Sequence, residues 1–186
     1  SMILQATICS LINTGSAVVS TDSKYVNSGT QGVALTSTTT KLQADYVAYS
    51  TSETGYAGVF YVDFYIKVNT LNAIMSVTLN DLTSSAKRLT ALEINTAGKF
   101  KFYNGSSGAK TQPAYTADKW TRISMRVNPE SKTYRACIDG QLVDDMDYAL
   151  RESRSDDKQI DFHSLRFQVN SATAVESDFS LDDVYV

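Results

Sequence analysis

The sequence predicts an all-β chain folded as an antiparallel two-sheet β-sandwich, and three observations carry that expectation. Its 186 residues hold eleven Tyr and seven Phe but only two Pro. Aromatic side chains pack well on a pleated surface, whereas Pro is depleted from strands. Runs of strand length recur along the chain, separated by Asn, Asp and Gly, which tolerate the positive φ of tight turns. Two of these runs alternate apolar and polar residues without a break, the period of a half-buried antiparallel strand.

In chain order the expected strands are 3–12, 32–36, 45–50, 58–68, 73–79, 89–95, 99–103, 120–127, 133–139, 165–169 and 179–186. Turn chemistry divides them at Asn13-Thr14-Gly15, Asn27-Ser28-Gly29, Ala97-Gly98, Asn104-Gly105, Asn128-Pro129 and Asp139-Gly140. In 58–68, Phe60, Val62, Phe64, Ile66 and Val68 share one face, and Tyr61, Asp63, Tyr65 and Lys67 share the other. In 120–127, Thr121, Ile123, Met125 and Val127 oppose Trp120, Arg122, Ser124 and Arg126. The pattern is weaker but in phase elsewhere: Leu165, Phe167 and Val169 oppose Arg166 and Gln168, and Tyr134, Ala136 and Ile138 oppose Arg135 and Cys137. One helical turn is expected at 148–155. Nothing repeats, so 3–186 reads as a single domain, with Ser1 and Met2 a remnant of tag removal. A chain of this size buries about 70% of its unfolded surface without needing a metal or a disulfide.

A net charge of -3 argues against a general nucleic-acid binder, which is usually basic. No apolar run reaches the roughly 20 residues of a membrane helix. Cys9 and Cys137 belong to no metal-ligand spacing, and they fit either one disulfide or two inert core thiols.

Several motifs, taken in order, point to a family. Val18-Val19-Ser20-Thr21-Asp22 followed by Ser28-Gly29-Thr30-Gln31-Gly32-Val33-Ala34-Leu35 resembles the opening of concanavalin A-like carbohydrate-binding modules. Lys119-Trp120-Thr121-Arg122-Ile123, with Cys137-Ile138-Asp139-Gly140-Gln141-Leu142-Val143, is similar to a hairpin of laminin-G-like jelly rolls, in which the Trp packs near the sandwich edge. Phe179-Ser180-Leu181-Asp182-Asp183-Val184-Tyr185-Val186 is similar to their closing strand. The resemblance implies a jelly roll that binds polysaccharide, is secreted or displayed at a cell surface, and is linked to catalytic or other modules. It also implies a structural Ca²⁺ between Asp182 or Asp183 and backbone carbonyls around Asn27. Calcium takes 6–8 oxygens, many from the backbone, and Gln5 stands where a first-strand glutamate is usual.

Catalysis is not expected. Glycoside hydrolysis needs paired carboxylates, yet Glu93 stands alone and Asp182 and Asp183 point to opposite sides of one strand. Arg151-Glu152-Ser153-Arg154 resembles the R-x-E-x-R strand of alginate lyases, but the partner motifs of those enzymes are absent, and His163 reads as a surface or turn residue. A lyase is therefore the enzymatic alternative, and an adhesion domain is a third. The expected ligand surface, on a concave sheet face or its loop rim, is Tyr61, Asp63, Tyr65 and Lys67, on a face where each two-residue step is about 7 Å. Arg122, Arg126, Arg135, Arg166 and Gln168 join it on the polar faces of neighbouring strands. Arginine forks grip carboxylates bidentately, so the glycan is expected to suit an acidic polymer.

Overall fold

The computed structural model describes residues 7–11, 16–47, 53–81, 88–106, 108–114, 119–152 and 161–186. Its strands, numbered in chain order, form two antiparallel sheets. The first runs β1 (Thr7–Leu11), β4 (Lys41–Val47), β15 (Ser164–Asn170), β6 (Met75–Asn80), β7 (Arg88–Ile94), β8 (Lys99–Asn104) and β9 (Gly108–Ala114), with β14 (Arg151–Glu152) also paired to β7. The second runs β12 (Gln141–Leu142), β11 (Thr133–Ile138), β10 (Thr121–Asn128), β5 (Phe60–Leu71), β16 (Ser177–Tyr185), β3 (Gly32–Ser37) and β2 (Ser16–Ser20), with β13 (Tyr148–Ala149) on β11.

The apolar faces read from the sequence meet between the sheets. Phe60, Val62, Phe64, Ile66 and Val68 of β5 are buried with Ile123, Met125 and Val127 of β10. Leu165, Phe167 and Val169 of β15 face them, and Phe64 stands edge-on to Phe167 with centroids 5.0 Å apart. Each such side chain contributes about 1.5–3 kcal/mol by leaving water. The Asp139-Gly140 turn closes the β11–β12 hairpin with both residues at positive φ, 49° and 79°. That is the paired left-handed geometry of a tight hairpin turn.

The structure corrects several expectations. Residues 148–152 are not a helical turn: Tyr148–Ala149 and Arg151–Glu152 pair as short strands, because Tyr148 and Leu150 are drawn into the core. Residues 153–155 of that expected turn lie outside the described residues. Strand β4 begins at Lys41, where Leu42, Ala44 and Tyr46 alternate inward, rather than at Asp45. Trp120 precedes β10 instead of opening it. Strands β2 and β9 were not among the expected runs.

Candidate functional site

The predicted site residues separate onto two opposite outer faces. Arg166 and Gln168 lie on β15 in the first sheet, whose inward neighbours Leu165, Phe167 and Val169 hold their side chains outward. Register extends each into a row across the sheet. Asp45, Arg166, Thr78, Thr90 and Arg151 stand at one level. Gln43, Gln168, Ser76, Glu93 and Lys101 stand at the next. A bulge beside Thr78 makes the second alignment work. The extra residue lets Thr90 and Glu93, three apart, share one side. The result is a polar strip whose five-strand rows span about 19 Å at ordinary strand spacing.

Within the strip the left end is tied together. Arg166 grips Asp45 through Nε at 2.7 Å and Nη2 at 3.0 Å, and both are buried, 7% and 2% exposed. Gln43 Nε2 donates to Asp45 at 3.2 Å, and Gln168 Nε2 donates to Gln43 Oε1 at 3.2 Å. Arg166 is thus committed to a buried partner and is not a free ligand arm. The middle is less complete: Thr78 Oγ1, and Asn80 Oδ1 one step along β6, are buried without a hydrogen-bond partner among the described residues. Such orphans in a native fold call for an explanation such as a water or a ligand.

The right end gathers charge. Arg151 Nη1 donates to Tyr103 Oη at 2.7 Å, and both Arg151 and Lys101 sit 4.8 Å from the centroid of the Tyr103 ring. Glu93 lies 3.8 Å from Arg151 and 3.9 Å from Lys101, too far for hydrogen bonds, so both cations keep donors to spend. Burial, reinforced by Glu93, pushes the Tyr103 phenol up to about 12. Lys101 and Tyr103 were missed in the sequence, and Glu93 and Arg151 were read apart from each other, because register alone brings these strands together.

The other predicted group lies on the outer face of the second sheet. There β5, β10 and β11 bring Tyr61, Asp63, Tyr65, Arg122, Arg126 and Arg135 together. Tyr61 is 66% exposed and Tyr65 half-buried. They are two steps apart along the strand, about 13 Å, with Asp63 between them. Arg122 closes on Asp63 through Nε at 3.0 Å and Nη2 at 2.6 Å, and Arg135 Nε bonds Asp147 at 2.9 Å. Lys67 departs from expectation: it is 8% exposed, its ammonium lying 5.2 Å from the Trp120 ring centroid. Trp120 covers it, so it is not a solvent-facing ligand arm.

At the end of β16, Asp182 accepts bonds from the backbone N–H of Asn27 at 2.7 Å and Ser28 at 3.0 Å, and from Asp183 N–H. Asp183 does not point away as expected: at φ 49° it leaves the strand alternation and reaches the same two residues, accepting from Ser28 Oγ and Asn27 Nδ2. A cavity of about 390 Å³ lies beside them, lined also by residues 28–33 and by Tyr46, whose buried Oη has no partner among the described residues. The two carboxylates carry the charge a hard cation needs, but the groups of Asn27 and Ser28 that face Asp182 are N–H donors rather than the expected carbonyls. His163 is fully buried, not superficial: Nδ1 lies 3.0 Å from the Asp161 carbonyl and Nε2 lies 3.1 Å from that of Glu53. Cys137 is a free, half-buried thiol.

No family model matches this chain, and no curated protein matches it in sequence. Solved structures do match in shape. A sialidase superposes with a TM-score of 0.61 at 12% identity, over 85% of this chain but 15% of its own. A conserved carbohydrate esterase of the Shiga toxin-encoding bacteriophage phi24B gives 0.60 at 19% identity, over 94% of this chain and 88% of its own. The endo-β-1,4-glucuronan lyase of the fungus Trichoderma reesei gives 0.57 at 12% identity, over 96% and 90%. What the chain shares with them is the fold, the two-sheet jelly roll that its motifs resembled.

Proposed function

We propose that this domain binds polysaccharide without cleaving it, the polymer lying along the polar strip of the first sheet. The observation that carries the reading is the pair of aligned rows, with orphaned acceptors at Thr78 and Asn80 and unspent donors at Lys101 and Arg151. A sugar chain offers hydroxyls of both polarities, which is what such a strip lacks. The carbohydrate-active names of the structural neighbours support the ligand class. The sialidase match supports the further proposal of a module linked to other domains, since the fold there is a small part of a longer chain; a secreted or cell-surface location belongs to the same proposal.

The chemistry of the strip favours binding over catalysis. Asp45 is held by Arg166, and Glu93 is shared by two cations. Tyr103, the residue best placed to move a proton, holds its own too firmly to be a good base near neutrality; a general base works best with a pKa near the working pH. A calcium ion at Asp182 and Asp183, near Asn27, belongs to the same proposal as a structural element remote from the strip.

Gln168→Ala and Lys101→Ala should each weaken retardation in polysaccharide-containing native gels. One hydrogen bond of about 0.5–1.5 kcal/mol corresponds to a roughly two- to tenfold loss. Prolonged incubation should release neither reducing ends nor unsaturated sugars. Steady release of unsaturated product would make the domain a lyase instead.

A further inference from the structure

On the opposite outer face, Tyr61, Arg126 and Arg135 stand at one register level of three adjacent strands. Directly opposed residues on an antiparallel pair have β-carbons about 4.5–5.5 Å apart, and like charges there are destabilising. The other guanidinium in contact with β5 has an acid, since Arg122 is gripped by Asp63. Arg135 engages Asp147 through Nε, and among the described residues its terminal nitrogens remain unspent. Arg126 is exposed, and among the described residues no carboxylate pairs with it. Its neighbour across β5 is the exposed Tyr61 ring, which carries no compensating charge.

An unpaired cation set directly against another works against folding, and the arrangement makes sense as one completed by an anion. We infer that Tyr61, Arg126 and Arg135 form a second glycan site, specific for the carboxylate of a uronate-containing polysaccharide. The planar fork of Arg126, with the free end of Arg135, takes the carboxylate bidentately, while the Tyr61 ring lies against the C–H face of the sugar. The inference rests on the polysaccharide reading for its ligand class, but it uses none of the strip residues. Because the two sites lie on opposite sides of the sandwich, the domain bridges two polymer chains rather than enfolding one.

The test compares the wild-type chain with Arg126→Gln, Tyr61→Ala and Gln168→Ala, using polygalacturonate and its fully methyl-esterified form as probes. Arg126→Gln should weaken polygalacturonate binding about tenfold, the worth of one charge-assisted hydrogen bond. It should leave binding of the esterified polymer unchanged, and should abolish the light scattering that wild-type protein produces with polygalacturonate. Without ligand its melting temperature should hold or rise, because the like-charge pair is gone; a purely structural arginine would lower it. Tyr61→Ala should weaken both polymers at this face. Unaltered polygalacturonate binding by Arg126→Gln, or a lowered melting temperature, overturns the second site while leaving the strip intact. If Gln168→Ala matches wild type on both polymers while Arg126→Gln loses the acidic one, the strip reading fails and this site stands. Wild-type protein that binds neither polymer overturns both.

Discussion

Arg166 shows how far residue type alone misleads: on the polar face of a strand it reads as a ligand arm, yet it is bonded to Asp45, 121 residues away. Removing one partner of a buried pair leaves an uncompensated charge and costs about 3–5 kcal/mol, whereas replacing both by apolar groups is often neutral. Arg166→Ala should therefore destabilise strongly in denaturant titrations, and Arg166→Met with Asp45→Leu should recover most of the loss. Equal losses in single and double variants would show that the pair is not what matters. A second residue-scale consequence concerns pH. Burial, then Glu93, pushes Tyr103 up to about 12, and burial with the bond to Asp144 does the same for Tyr148. An unfolded phenol titrates near 10, so the folded state holds these protons more tightly. Their contribution is complete below pH 10 and is lost as pH rises from 10 through about 12. The melting temperature should fall over that window, and less steeply in Tyr103→Phe/Tyr148→Phe; identical slopes would refute the assignment.

At the scale of elements, β5 and β10 were legible because each has an unbroken apolar face, and a one-residue slip would expose the whole of it. The turn at Asp139-Gly140 was legible for an equally local reason. Strand β9 was not: it carries Gly108 and Pro113, and it survives as an edge strand, the place where Pro is tolerated. The two-residue strands β13 and β14 exist through pairing with β11 and β7, which no local period encodes. The strip was illegible for the same reason, although Arg166 and Gln168 were found on it. The closing Asp182-Asp183 pair was recognised, and the structure adds amide donors at Asn27 and Ser28 that a motif cannot show. Asp182→Ala strips the acceptor from both amides and should cost about 1–3 kcal/mol, seen as a lower melting temperature. Calcium added to chelator-treated wild-type protein should raise that temperature, by an amount growing as RT ln(1 + [L]/Kd). A curve insensitive to calcium would leave the amide bonds as the whole tie.

At the scale of the molecule, the last strands of the chain are central to both sheets. β15 lies between β4 and β6 in one sheet, and β16 lies between β5 and β3 in the other. Phe167, Phe179 and Leu181 on these strands are fully buried. The sandwich therefore cannot close until its C-terminal part is present, and pairings such as β4 with β15 join distant parts of the chain. Closing such large loops before contacts reward them slows folding, and sandwiches of this kind fold in milliseconds to seconds. Deleting 161–186 would remove a central strand from each sheet, leave β4, β6, β5 and β3 as new edges, and uncover the core. Cutting away β2, which pairs with β3 alone at the rim of its sheet, removes far less. The first deletion should give an aggregating chain without dispersed amide resonances. Replacing the exposed Val18 and Val19 of β2 with Thr should leave a cooperative melt within a few degrees of wild type. A cooperative transition in the chain lacking 161–186 would mean that the remaining strands form a core of their own, contrary to the topology.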